Sequence, residues 1–274
     1  MDGVRLPAHY YQHFDADFSL AIPGEGYGGW KQADLDISWE HTAVVVMHAL
    51  DAGTRAEFPG WHRAVEYIPR SADICRKVFP PLLKAVRETG FKLIHVAGGG
   101  DYYTNCPGYQ RALGLAGPSP LGAPGVAGDE TLARLQAFRS ANVFVGTHNQ
   151  ADVARGFQRL DFAPQARPLG DEWVVGDTHQ LVAVCRHLNV NHLIYAGFAI
   201  NWCLLLSPGG MAEAAKHGIL CSAFRQAVTA VENRETARRE VCKELGLWRV
   251  ALAYGFVFDV DPFVEAIRRH QGGI

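Results

Sequence analysis

Residues 43–47 read Ala-Val-Val-Val-Met, a run without a single polar position that fills both faces of an extended strand. A strand that is apolar on both faces has to be covered on both. The usual solution is a parallel sheet between two layers of helices. The stretch at 192–196 has the same character. Further strands are expected at 91–97, 142–145, 173–175, 219–222 and 249–258. Between them lie helical spacings. Ser71 opens a helix that carries Ile74, Val78, Leu82 and Val86, kinks at Pro80 and Pro81 and ends at Gly90. Others are expected at 130–138, from Thr178 onward, at 211–216, at 233–245, and from Asp261 and Pro262 to the end. This alternation predicts an α/β fold, three-layer α/β/α, with a mainly parallel sheet of about six strands.

The chain has 274 residues, enough for a sizeable core. Residues 1–40 are rich in Gly and aromatics without a sustained period, which predicts an arm packed on the body or on a neighbouring subunit. The rest, 41–274, reads as one α/β domain with an irregular Gly- and Pro-rich insertion at 101–170. Lys and Arg number 26 against 28 Asp and Glu, and no long stretch is dominated by one sign, which argues against nucleic-acid and anionic-membrane partners. No apolar window is long enough to cross a bilayer, and residues 1–40 lack the pattern of a secretion signal. The six cysteines are widely spaced, with no C-x-x-C pair. A cytoplasmic protein without a disulfide framework, associating with copies of itself, is the expectation.

In such sheets ligands gather beyond the carboxyl ends of the strands. The residues to interrogate are therefore His48 and Asp51, Asp101 with Tyr102, Asp177 to His179, and Asn201 to Cys203. Gly98-Gly99-Gly100-Asp101 lacks both the G-x-G-x-x-G spacing and the lysine of a phosphate loop. Cys203 follows a buried strand and a tight turn, where a helix is due to begin. Unpaired N–H groups there stabilise a thiolate and can hold the oxyanion of a tetrahedral intermediate. Gly209 and Gly210 interrupt that helix early.

The stretch Gly197-Phe198-Ala199-Ile200-Asn201-Trp202-Cys203 resembles the strand, glycine, turn and nucleophile of the isochorismatase-like cysteine hydrolases, a superfamily that includes nicotinamidases and other carbon-nitrogen hydrolases. The resemblance spans roughly 42–232. It implies a cis peptide bond between Phe198 and Ala199 that turns an N–H into an oxyanion hole, with Ala199, Asn201, Trp202, Asp177 and Tyr102 around the substrate. It also implies a triad of Asp, Lys and Cys, from which this chain departs twice. The position of the Asp holds His48, with Asp51 three residues on, and no Lys follows the strand at 173–175.

Two functions follow. In the first, Cys203 attacks a small amide or related carbon-nitrogen substrate and forms a thioester, with His48 as base and Asp51 or Asp177 orienting its ring. In the second the chain is a silent relative that binds a small molecule or a protein. Hydrolysis of a vinyl ether, as in isochorismatases, is a third, weaker expectation. The resemblance also carries a metal site after the second strand, but that segment has no histidine here, and no metal or other cofactor is expected. Scattered His48, Asp51, Asp101, His148, Asp177 and His179 would have to converge to bind one. His95 reads as a satisfied core histidine, His179 as exposed, and 58–63 as a site rim or an interface. Arg155 and Arg159 are the candidate replacements for the lysine.

Overall fold

The computed structural model describes residues 3–119, 122 and 124–272. Its strands are β1 (Gly3–Gln12), β2 (Gly29–Ser38), β3 (Thr42–Met47), β4 (Lys92–Val96), β5 (Trp173–Val175), β6 (His192–Phe198), β7 (Leu220–Thr229) and β8 (Val257–Phe258). They form one sheet in the order β2-β1-β8-β7-β6-β3-β4-β5. The six strands from β8 to β5 are parallel, as expected, and the pair β1–β2 adds two antiparallel strands at one edge. β3 is central and all six of its residues are buried.

The helices are α1 (Pro59–Ala64), α2 (Ile68–Lys77), α3 (Phe79–Thr89), α4 (Pro107–Ala116), α5 (Glu130–Asn142), α6 (Gln150–Phe157), α7 (Thr178–Leu188), α8 (Cys203–Leu206), α9 (Met211–Ala215), α10 (Val241–Ala253) and α11 (Val260–Gly272). One core lies between the sheet and α2, α3 and α11, around Phe79, Leu82, Phe198, Phe224 and Phe263. The other lies on the opposite face, around Leu181, Tyr195, Leu204, Met211 and Leu247. Two layers of helices on one sheet is the architecture that the apolar β3 run demands.

Several expectations need correction. The stretch at 3–38 is not an irregular arm but a ten-residue-per-strand hairpin, and Val4, Leu6 and Ala8 alternate into the core. Period 2 is lost beyond Ala8, where both faces of β1 are half-exposed and aromatic residues occupy either side. Thr178 and Ser71 are not caps. Asp177 caps α7, accepting from the Gln180 N–H at 2.8 Å, and α2 already starts at Ile68 with a proline at its first turn. The expected kink is a break between α2 and α3 at Val78, because Pro80 and Pro81 begin a new helix rather than bend an old one. Residues 142–145 are not a strand, and of 249–258 only Val257–Phe258 is strand (β8), while 249–253 belong to α10, whose first residue is Val241 rather than Asn233. Val250 in that helix is buried against the sheet, so its apolar run imitates a strand.

Candidate active site

Four loops converge along the carboxyl edge of the parallel strands. His48 follows β3, Gly98 to Tyr102 follow β4, Asp177 follows β5, and the turn leading to Cys203 follows β6. β3 lies between β4 and β6, so His48 stands between the glycine loop and the cysteine turn.

The cysteine turn is pressed against β3 by a glycine. Gly197 has φ +129°, and a Cβ there would lie 1.8 Å from the Met47 carbonyl oxygen, so only glycine permits this approach. One bond further on, the Phe198–Ala199 peptide is cis, at the position that the resemblance implies. The turn is then held from outside. The Ile200 N–H donates to the Thr229 carbonyl at 2.8 Å. Asn201 clamps the neighbouring loop, donating from Nδ2 to the Val231 carbonyl and accepting at Oδ1 from the Val231 N–H, each at 2.9 Å.

Within the turn, the N–H groups of Trp202 and Leu204 donate to the Ala199 carbonyl. Those of Ala199, Asn201 and Cys203 have no hydrogen-bond partner among the described residues. Three free donors thus stand within five residues, beside a half-buried thiol. Trp202 contributes no donor, and its side chain is exposed.

The helix behind the thiol is only one turn long, Cys203–Leu206. Gly209 has φ +77°, and a Cβ on Gly210 would sit 2.7 Å from the Cys203 carbonyl oxygen, so the two glycines fold the chain back over the end of α8. A single turn has little macrodipole, and the free N–H groups are the main electrostatic resource of the turn.

His48 has φ +50°, a left-handed conformation that costs a non-glycine residue about 1 kcal/mol and is commonest at functional sites. Its N–H donates to the Val96 carbonyl at 3.1 Å. Burial pushes the imidazole down to about 4, opposed in part by a hydrogen bond from the ring to the Ala97 carbonyl. A Cβ on Gly98 would lie 3.0 Å from His48 Nε2. The glycine triplet therefore makes room for an imidazole. At neutral pH the ring is uncharged, with one nitrogen donating to a backbone carbonyl and the other left as an acceptor.

Neither expected carboxylate orients it. Asp51 is exposed, and its Oδ1 accepts from the Gly53 N–H at 2.9 Å. Asp177 is committed to capping α7 and also accepts from Ser119 Oγ at 3.3 Å. Tyr102 does reach the His48 neighbourhood: its hydroxyl accepts from the Gly98 N–H at 3.4 Å, and burial pushes its phenol up to about 12. No hydrogen bond joins His48 to Cys203 among the described residues. The position after β5 is Gly176, where a Cβ would meet the Tyr103 hydroxyl at 2.9 Å, so a phenol fills the space at the end of that strand. Arg155 and Arg159 stack over Phe58 and bond to Glu57, Arg155 also to Asp152.

Sequence reasoning missed Tyr67 and Arg70. Arg70 donates to Thr229 Oγ1 at 3.1 Å and to the Ala230 carbonyl at 3.2 Å, while Glu66 and Glu240 hold its guanidinium. This fastens the start of α2 to the end of β7, the strand that also anchors Ile200. Tyr67 stands at the N-terminal end of α2, near enough to Cys203 to interact with it electrostatically. The phenol is raised above the usual tyrosine range by burial first, and then by Cys203 and Glu66, so it stays protonated as a donor. These contacts span about 160 positions of sequence and leave no local pattern to find.

In the segment 58–63, Phe58 and Trp61 are buried with Ile68 and Leu160, and Tyr102 packs beside them. His179 is half-buried and its Nε2 meets the Ala116 carbonyl at 3.0 Å. His95 is only half satisfied. Its Nε2 bonds Glu172 at 2.9 Å, but its buried Nδ1 has no partner. Among the described residues no three His, Cys, Asp or Glu side chains are grouped to hold a metal ion, so His148, exposed in the insertion, and the other scattered candidates do not converge.

No protein-family model matches the chain, and no curated protein does. Among solved structures it is similar to a cysteine hydrolase from Pseudomonas syringae pv. phaseolicola, at 14% identity over 85% of this chain and 95% of that one, with a TM-score of 0.48. It is also similar to an isochorismatase-like hydrolase from Alkaliphilus metalliredigens, at 15% identity over 84% and 98%, with a TM-score of 0.45. A third is N-carbamoylsarcosine amidase from Thermoplasma acidophilum, at 13% identity over 81% and 97%, with a TM-score of 0.42.

Proposed function

We propose that this chain is an isochorismatase-like hydrolase that cleaves a small amide or related carbon-nitrogen bond through a thioester on Cys203. The observation that carries this is that the N–H groups of Ala199, Asn201 and Cys203, in the turn that ends at the thiol, have no hydrogen-bond partner among the described residues. Unpaired donors next to a nucleophile are what a tetrahedral oxyanion requires. The sulfur attacks the carbonyl carbon, and the thiol proton passes to the free nitrogen of His48. The tetrahedral intermediate collapses with loss of the amine, which takes that proton. Water then attacks the thioester, returning the thiol and releasing a carboxylic acid. The Ala97 carbonyl orients the imidazole in place of a carboxylate. The Tyr67 phenol, kept protonated by burial, is the second donor this reading assigns.

A second reading has specific support. With His48 half-buried, its imidazole pushed down by desolvation, and a glycine rather than a cation among the described residues at the end of β5, the chain equally suits a relative that binds a small molecule without turnover. Intact-mass detection of adducts from a panel of small amides separates the two. Hydrolysis predicts adducts on the wild type that are absent from Cys203→Ala; adducts on both proteins, or on neither, support binding alone.

We also propose a cytoplasmic protein that assembles with itself through the tip of the β1–β2 hairpin, where Phe14, Phe18 and Ile22 are exposed. Deleting residues 1–38 would strip Val4, Leu6 and Ala8 from the core, so the test is Phe18→Asp with Ile22→Asp. A reduced particle mass in light scattering is expected, and an unchanged mass would overturn the idea.

A further inference from the structure

Free N–H groups beside a thiol stabilise an oxyanion only when the turn that carries them is held still. The Cys203 turn is bonded to one short stretch, 229–231 at the end of β7: the Ile200 N–H to the Thr229 carbonyl, and the Asn201 side chain to both backbone groups of Val231. The sheet holds this stretch poorly. On the side of β8, pairing among the described residues stops at Phe224, opposite Phe258. On the side of β6 the ladder is interrupted, with β7 passing from 223 to 228 while β6 passes from 195 to 197, and Val228 and Thr229 pair beyond the break. A strand end built this way needs support from outside the sheet.

Arg70 supplies it. Its Nε donates to Thr229 Oγ1 at 3.1 Å and one Nη to the Ala230 carbonyl at 3.2 Å, both on buried residues. The guanidinium is fixed in its turn. Glu66 accepts from both Nη groups at 2.8 Å, and Glu240 stands 2.8 Å from Nε. Glu66 also accepts from the Glu232 N–H at 3.0 Å. The buried Glu232 carboxylate accepts from the N–H groups of Cys242 and Lys243, so the first turn of α10 is tied to the same cluster. α10 in turn approaches the Cys203 turn at Gly246, where a Cβ would lie 2.9 Å from Ile200 Cγ2.

We propose that Arg70 is a positioning residue of this hydrolase: acting through Thr229 and Ala230, it sets the direction of the free N–H groups in the Cys203 turn without touching the substrate. The inference rests on the proposed hydrolysis at Cys203. A guanidinium suits the task because its planar fork reaches a hydroxyl, a carbonyl and a carboxylate at fixed angles, whereas the ammonium of a lysine is a single point that cannot span them. Breaking the bridge takes the donor from the buried Ala230 carbonyl and frees 229–231 to relax, and Ile200 and Asn201 move with it. Such a shift matters only to reactions that develop an oxyanion. Alkylation of the same sulfur by iodoacetamide develops none, so the two chemistries separate donor geometry from thiol exposure and from stability.

The test acylates the full chain with 4-nitrophenyl acetate and, separately, alkylates it with iodoacetamide. Both reactions are followed at Cys203 by peptide mass, in the wild type, Arg70→Lys, Thr229→Val and the double variant. Acylation is expected to fall about thirtyfold in Arg70→Lys and about tenfold in Thr229→Val, with alkylation within about twofold of the wild type in both. The double variant should be at most about threefold slower than Arg70→Lys, because the two changes break one contact. Thr229→Val leaves the Glu66–Arg70 pair in place, so it decides the matter alone if Arg70→Lys does not fold. Acylation and alkylation that fall together, or acylation unchanged in either variant, would overturn the positioning role and leave the hydrolysis standing. Cys203 acylated no faster in the folded wild type than in the urea-unfolded chain would overturn the hydrolysis and this inference with it.

Discussion

The two strand ends that meet at the site are built in opposite ways. At the end of β6, glycines at 197, 209 and 210 force close backbone approaches, and the turn between them keeps three N–H groups unspent. At the end of β3 the donors are spent and one ring nitrogen is spare. The His48 N–H bonds the Val96 carbonyl, and desolvation, opposed in part by the Ala97 carbonyl, strips the charge from its ring. The difference teaches where function and stability lie: donors left unpaired in a folded chain are a resource, while a half-buried neutral imidazole adds chiefly to packing unless a substrate draws on its free nitrogen.

The largest expected effect comes from closing the gap that makes the turn possible. Gly197→Ala puts a Cβ 1.8 Å from the Met47 carbonyl and should destabilise the chain by more than about 3 kcal/mol, read as a fall in the urea midpoint. A midpoint within error of the wild type would show that β3 and β6 separate easily, and the comparison would lose its physical basis. Next is Cys203→Ser, which should lower hydrolysis at least about a thousandfold with an unchanged thermal midpoint. His48→Ala should lower thioester formation by roughly a hundredfold, the usual worth of a positioned base, and the silent reading instead predicts no change. Tyr67→Phe removes one donor and should cost about tenfold in the same step, with fold and packing kept.

The smallest effect is on the pH dependence of stability. The folded pKa of His48, about 4, lies below the ordinary value of 6.5. Between these values the unfolded chain binds a proton that the folded chain refuses. Stability is therefore full above about pH 6.5 and falls as pH drops toward 4. His48→Gln should reduce that fall in urea melts between pH 7 and 4.5. It should not abolish it, because burial lowers His192 to about 4 as well. Identical pH profiles for the two proteins would mean that the imidazole is less buried than described here.

What was legible in the chain follows the same division. The β3 run and the β6 strand declared themselves because both faces are buried, and Cys203 because it follows β6 directly. That the sheet is mainly parallel came from alternation alone. The β1–β2 hairpin did not show, since β1 is half-exposed beyond Ala8 and its aromatic residues obscure the period. Tyr67 was hidden because its place depends on Arg70 reaching Thr229, 159 residues away. Asp51 and Asp177 misled for a local reason: each carboxylate serves the loop or helix that it begins. Only the folded chain could show that Gly98 is small for the sake of His48, and that Tyr103 fills the end of β5.

The claim on which the rest depends is that the Cys203 turn is an oxyanion site. A small aldehyde tests it without needing the true substrate, because thiol addition gives a hemithioacetal whose oxygen stands where the tetrahedral oxyanion would. With an aldehyde labelled with carbon-13 at the carbonyl, the wild type should show a protein-bound hemithioacetal resonance. It should be absent in Cys203→Ala, and the matching alcohol should bind at least about a hundredfold more weakly. A carbonyl resonance that stays free across a panel of small aldehydes, or an adduct that survives Cys203→Ala, would contradict the account.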